Sequence, residues 1–143
     1  MEADKVQRVA VLGAGVMGHG IAQVAAVAGY EVTVRDIAQD YLDSAEAGIE
    51  NSLDRFVKRG RMNQEDMDAA LARIRYTLSL DEAVRDAQLV VEAIPERMEI
   101  KHKVWAEAAA KAPRDAILAS NTSSLSITEI AAVSYTHLTL PTN

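Results

Sequence analysis

The sequence predicts an α/β fold: a doubly wound parallel sheet covered by helices on both faces, with a helical excursion after the second strand. Three observations carry this. Short β-branched runs alternate with helical patterns along the chain, with no repeat or low-complexity linker between them. The first of these runs ends in a glycine-rich turn that opens a helix. Between the second and third runs stand two consecutive helical patterns, where strict alternation would place one.

Val6 to Leu12 is β-branched, uncharged after Arg8 and closed by Gly13, as a buried strand requires. The Ala- and Val-rich stretch beyond the turn is helical, and Gly29 ends it. Glu31-Val32-Thr33-Val34-Arg35 is a second strand, stopping at Asp36. From Gln39 to Arg59, Leu42, Ala45, Ile49, Leu53 and Phe56 draw one apolar stripe along a long helix, which Gly60 and Arg61 break. Asn63 is placed to cap a third helix, whose buried face is Met67, Ala70, Leu71 and Ile74. Arg75 to Leu78 reads as a short strand. Ser79-Leu80-Asp81-Glu82 is a capping box opening a brief helix through Asp86. Gln88 to Ile94 is a strand stopped by Pro95. Arg97 to Lys111 is a helix with Ile100, Val104, Trp105 and Ala108 on one face, ended by Pro113. Ala116 to Ser120 is a fifth strand, and Ser126 to Ala132 begins another helix. Residues 133–143 break the pattern, with Thr, Pro and β-branched residues where that helix should continue. The expectation is a truncated domain over residues 1–132 followed by a non-native tail.

At 143 residues and 15.5 kDa the chain is one domain, large enough to bury roughly 70% of the surface its unfolded form exposes. With no cysteine, disulfides, thiolate metal sites and a cysteine nucleophile are excluded. A net charge of −6 argues against nucleic acid as a partner. Aromatics at 4% are too few for a base-stacking platform. No apolar run reaches the ~18 residues of a membrane span, and Met1 to Lys5 lacks the apolar core of a signal peptide. A cytoplasmic domain is expected, with no membrane partner. No cluster of His and carboxylates has ligand spacing, so no metal is expected.

Gly13-Ala14-Gly15-Val16-Met17-Gly18 is a G-x-G-x-x-G run between a strand and a helix. There the first glycine makes the tight turn, the second lets a pyrophosphate approach the backbone, and the third lets the helix pack closely on the strand. The helix N-terminus adds free N–H groups and the positive end of its dipole. Asp36, at the end of the second strand, is placed to accept both hydroxyls of an adenosine ribose. Together these define a Rossmann-type nucleotide site and point to NAD. A 2′-phosphate ~4 Å from Asp36 would be repelled by a few kcal/mol at an effective dielectric of ~20, which disfavours NADP. Arg35 is expected on the opposite face of the strand. His19, in the first helical turn, is expected to face the phosphates rather than a reacting carbon. His102 reads as solvated, and His137 lies in the irregular tail. Two clusters fall at the carboxyl ends of strands, where ligands bind in open α/β sheets: Glu92-Ala93-Ile94-Pro95-Glu96 and Ser120-Asn121-Thr122-Ser123-Ser124-Leu125. The second fits an N-cap cluster as well as a ligand site. Ser52, Arg55 and Arg59 share one face of the long helix, which fits a solvated face as well as a binding one.

Taken together, the Ala10-to-Ala22 run around the glycines, Val91-Glu92-Ala93-Ile94-Pro95-Glu96 and Ser120-Asn121-Thr122-Ser123-Ser124-Leu125 resemble the NAD-binding domain of 3-hydroxyacyl-CoA dehydrogenases. The resemblance runs from about Lys5 to Ala132. It implies NAD-dependent oxidation of L-3-hydroxyacyl-CoA to 3-ketoacyl-CoA, as in fatty-acid β-oxidation or butyrate-type metabolism. By the same resemblance, Gly13, Ala14, Gly15, Val16, Met17 and Gly18 hold the pyrophosphate, Asp36 holds the adenosine ribose, and Glu96 and Lys101 line the cofactor site. Ser123 matches a catalytic-site serine near the nicotinamide and the substrate oxygen. Ser52 and Arg59 match contacts to CoA, Arg59 at a position that is often lysine. In the family a His in a His-Phe-Phe-Asn-Pro strand is the general base and a Glu orients it; Thr136-His137-Leu138-Thr139 does not match that run. The chain alone is therefore expected to be inactive. The family's helical second domain, which completes the substrate cleft and the homodimer interface, is expected to be missing. Two other readings compete. The 3-hydroxyisobutyrate and 6-phosphogluconate dehydrogenases share the glycine-rich start with Met17-Gly18, but the insertion from Gln39 to Ile74 and the Asn121-to-Leu125 run count against them. The other is a stand-alone, non-catalytic NAD-binding module.

Overall fold

The computed structural model describes residues 6–94, 98–120 and 138–139. The first half of the chain forms β1 (Arg8–Leu12), α1 (Val16–Val27), β2 (Glu31–Arg35), α2 (Gln39–Lys58), α3 (Gln64–Ala72) and β3 (Ile74–Thr77). The second half adds α4 (Leu80–Val84), β4 (Leu89–Glu92), α5 (Met98–Lys111), β5 (Ile117–Ser120) and β6 (Leu138–Thr139). The strands make one sheet in the order β3-β2-β1-β4-β5-β6, with every neighbouring pair parallel. The order reverses at β1. Chain connections leave it towards β2 on one side and reach β4 on the other, so the ends of β1 and β4 border a crevice.

Successive residues of β1 point to opposite faces of the sheet, and both faces are buried. Val9 and Val11 join Ala22 and Ala26 of α1, Val32 and Val34 of β2, and the α2 stripe Leu42, Ala45, Ile49 and Leu53. Ala10 and Leu12 join Leu80 and Val84 of α4, Val90 of β4, Trp105 and Ala108 of α5, and Leu118 of β5. The helices thus cover both faces, as the alternation of patterns predicts. The spacing of apolar residues on α2 is likewise the spacing that is buried.

Helix ends follow their local chemistry. At the end of α1, Gly29 takes φ +106°, and the amides of Gly29 and Tyr30 donate to Ala26 O and Ala25 O. Arg73 Nη1 donates to Ala26 O at 2.8 Å, placing a cation at the negative end of that helix dipole. The same backbone motif closes α2, with Gly60 at φ +72° and the Arg61 amide donating to Phe56 O. Asn63 caps α3 by accepting from the Asp66 amide at 2.8 Å. Ser79 caps α4 by accepting from the Glu82 amide. The capping box there is half formed, because the Glu82 carboxylate accepts from the Thr77 hydroxyl instead, and Thr77 Oγ1 accepts the Ser79 amide.

Several boundaries differ from those the sequence predicts. β1 begins at Arg8, not Val6, and α4 stops at Val84, short of Asp86. Ile74 opens β3 rather than closing α3; its apolar side chain serves either period, and pairing with Val32 decides for the strand. Leu138 and Thr139, left outside the fold by sequence, form a sixth strand paired with Leu118 and Ala119. That pairing covers an edge of β5 that would otherwise present unpaired backbone groups. The helix expected at Ser126 to Ala132 lies outside the described residues. Among the described residues, no helix is long and apolar enough to cross a membrane.

Tyr76 on the edge strand β3 is half-buried. Burial, reinforced by the Glu46 and Glu50 carboxylates of α2, pushes its phenol up to about 12. The fold therefore favours the neutral phenol. This contribution to stability is fully present below the unfolded value near ~10 and is lost as pH rises from there through the folded value. In an ultraviolet phenolate titration, the difference between the wild-type chain and Tyr76→Phe should be a step near about 12. A difference step at the ordinary phenol value of ~10 would contradict the assignment.

Candidate functional site

The chain leaves β1 through Gly13, whose φ of +113° is in the region that favours glycine. A Cβ there would stand 2.6 Å from the Ala93 carbonyl oxygen. The turn is held on both sides: the Gly13 amide donates to Arg35 O at the end of β2, and the Ala93 amide donates to Leu12 O. Gly18 is equally constrained, since a Cβ on it would fall 1.8 Å from the Gly13 carbonyl oxygen. Gly15 is different. A Cβ at Gly15 meets no protein atom within 4 Å, and its backbone is extended. Packing in this chain demands the first and third glycines and leaves the second unexplained unless something else approaches it.

What approaches can be read from the donors. The N-terminus of α1 has no side-chain cap and no acidic residue in its first turn, whereas α3 and α4 are capped by Asn63 and Ser79. The first-turn amides and the positive helix end meet the open space above Gly15, in the chemistry of a phosphate cradle. A cleft of about 680 Å³ opens there. It is walled by the glycine turn and His19 on one side, by Asp36, Ile37, Tyr41 and Ser44 on another, and by Ala93, Ile94 and Val104 on the third. These residues fit a dinucleotide: an anion cradle at the helix end, a carboxylate beside the turn, and apolar walls around them.

Asp36 is fixed by backbone. Its Oδ2 accepts the Ala14 amide at 2.8 Å and its Oδ1 accepts the Ile37 amide at 2.7 Å. Each oxygen keeps a lone pair for a hydroxyl in the cleft. Arg35 borders the cleft through a backbone carbonyl that accepts the Gly13 amide, and its Nε donates to Leu78 O at 3.2 Å. His19 lines the cleft beside the glycine turn. Its Nδ1 is 3.4 Å from Ala14 O, and its ring covers Gly48 of α2. A smaller pocket of about 130 Å³ lies away from the carboxyl ends of the strands. Its Arg8, Arg73 and Arg75 are matched by Glu31, Glu82 and Asp86, so it offers no net charge to a ligand.

Ser52 and Arg59 do not line the cleft. Ser52 is half-buried on α2 and accepts from Gln23 Nε2 at 2.9 Å. Arg59 is exposed at the end of α2. Glu96, Ser123 and the side chain of Lys101 lie outside the described residues, as do those of His102 and His137. Sequence reasoning missed Tyr41, Ser44 and Val104 as cleft residues. Tyr41 and Ser44 stand one turn apart on α2, a signal that becomes readable only once the seating of α2 is known. Glu92 is fully buried at the end of β4 and accepts the Ile94 amide.

The family model of the 3-hydroxyacyl-CoA dehydrogenase NAD-binding domain matches residues 8–138. A 3-hydroxybutyryl-CoA dehydrogenase of Bradyrhizobium diazoefficiens is 42% identical over 130 residues, which are 91% of this chain and 44% of that relative. The crystal structure of Mycobacterium tuberculosis FadB2 superposes with a TM-score of 0.90 at 39% identity, over 94% of this chain and 48% of that one. The structure of an (S)-3-hydroxybutyryl-CoA dehydrogenase from Ralstonia eutropha gives a TM-score of 0.87 at 38% identity, over 91% and 46%. The chain spans less than half the length of each of these relatives.

The glycines divide into two experimental classes. Gly15→Val should leave the thermal unfolding midpoint unchanged and abolish NAD⁺ binding in a calorimetric titration, whereas Gly18→Val should fail to fold. Retention of wild-type affinity by Gly15→Val would show that nothing approaches that backbone.

Proposed function

The chain belongs to the 3-hydroxyacyl-CoA dehydrogenase family, as its NAD-binding domain, and on that premise we propose that it is the cofactor-binding part of an enzyme oxidising L-3-hydroxyacyl-CoA to 3-ketoacyl-CoA. The observation that carries the proposal is Gly15, open above an uncapped helix end, with Asp36 held beside the turn by two backbone amides. Bound NAD⁺ supplies the hydride acceptor. The first-turn amides of α1 hold its pyrophosphate, and Asp36 orients its adenosine ribose. Ile37, Ile94 and Val104 offer apolar surface to the cofactor along the cleft.

Ser52 and Arg59 are proposed as CoA contacts. Because the Ser52 oxygen accepts from Gln23, its own hydrogen is the group available to a substrate oxygen. The exposed guanidinium of Arg59 suits a CoA phosphate through charge-assisted bonds. Glu96 and Lys101 are proposed to line the cofactor site, and Ser123 to meet the substrate oxygen near the nicotinamide; the family motifs support these roles. Homodimerisation through a further helical domain, and a cytoplasmic location, belong to the same proposal.

The residues of this chain do not complete the reaction by themselves. Oxidation at C3 requires removal of the hydroxyl proton, and a positioned base contributes ~10²–10⁴ in rate. His19, packed between the Ala14 carbonyl and Gly48, is at the phosphate end of the cleft. The sequence contains no His-Phe-Phe-Asn-Pro run.

Titrations with both cofactors should show NAD⁺ bound at least about tenfold more tightly than NADP⁺, from the charge of Asp36. Equal affinities would overturn the role of that carboxylate. In an assay of NADH formation from 3-hydroxybutyryl-CoA, with the Bradyrhizobium relative as positive control, this chain should turn over at least about 10²-fold more slowly. A rate within tenfold of the control would place a working base among these residues.

A further inference from the structure

Helices α1 and α2 meet along a polar seam that repeats once per turn. His19 and Gln23 stand one turn apart on α1, and Gly48 and Ser52 one turn apart on α2. At the first contact the His19 ring lies over Gly48, where a Cβ would come within 3.1 Å of Nε2. At the second, Gln23 Nε2 donates to Ser52 Oγ at 2.9 Å. The α2 stripe that carries Gly48 and Ser52 continues back through Ser44 and Tyr41, and these two line the cofactor cleft together with His19. Gln23 and Ser52 do not line it. They close the seam about one helical turn, ~5.4 Å, beyond the His19 contact.

We infer that Gln23 is a positioning residue for the cofactor: its hydrogen bond to Ser52 seats α2 on the helix that holds the phosphates and so fixes Tyr41 and Ser44 opposite the glycine turn. The apolar face of α2 cannot do this alone. Leu42, Ala45, Ile49 and Leu53 press the helix onto the core, but apolar burial is non-directional and tolerates a slide along α1. A hydrogen bond is directional, and the notch at Gly48 admits the His19 ring at one register. Together they select one seating of α2.

The inference rests on the reading of the cleft as an NAD site, and the test separates the two. NAD⁺ affinity is measured for the wild-type chain, Gln23→Ala, Ser52→Ala, the double variant and Gln23→Glu. Amide hydrogen exchange across residues 41–52 is followed in parallel without cofactor. Loss of the bond should weaken NAD⁺ binding about fivefold in either single variant, with the double variant no weaker than the singles. Glu at position 23 can accept the Ser52 hydroxyl proton and should restore wild-type affinity, which a general loss of stability would not do. Exchange in residues 41–52 should quicken in Gln23→Ala and not in β4. Wild-type affinity in Gln23→Ala, or additive losses in the double variant, would overturn the inference while leaving the cofactor site intact. A wild-type chain that fails to bind NAD⁺ would overturn the cofactor site and with it any cofactor role for Gln23. The exchange measurement would then decide whether the Gln23–Ser52 bond seats α2 at all, and unchanged exchange would overturn that part too.

Discussion

The turn after β1 passes so close to the end of β4 that no side chain fits between them. That one approach, Gly13 against the Ala93 carbonyl, sets the position of both the first helix and the cleft. It places the turn at the point where the sheet order reverses. It also leaves the Gly13 carbonyl so near Gly18 that α1 packs on the turn without a Cβ between them. The N-terminus of α1 is therefore held directly above the crevice between β1 and β4. Helix dipole, free amides and cleft coincide because two glycines leave them no other arrangement.

The two ends of α1 are treated in opposite ways. Its C-terminus is saturated within the chain: Gly29 and Tyr30 return amides to it, and Arg73 adds a cation. Its N-terminus receives no side-chain cap. A helix stabilised from one end tolerates leaving its other end for a ligand, so the stability of the domain and its binding chemistry are arranged along one axis. Asp36 shows the same economy. The amides of Ala14 and Ile37 hold the carboxylate at the edge of the cleft, so that side chain is ordered before any ligand arrives.

Much of this was legible in local sequence. The β1 run, the glycine turn, Asp36 and the apolar stripe of α2 each announce themselves within a few residues, because strand and helix periods and glycine geometry are local properties. What was not legible depends on distant partners. Ile74 fits a helix face and a strand equally until Val32 pairs with it. Leu138 and Thr139 become a strand only because β5 offers an edge. Tyr41 and Ser44 reach the cleft because α2 sits where Gln23 and His19 hold it, and neither contact is written in the helix itself.

The crevice at the β1–β4 reversal is the proposed seat of the dinucleotide. Amide chemical-shift changes on adding NAD⁺ to the labelled chain test it most directly. Perturbations concentrated in residues 13–19, 36–37, 41–44 and 93–94 are the predicted result. Perturbations gathered instead around Arg8, Arg73 and Arg75 would contradict it.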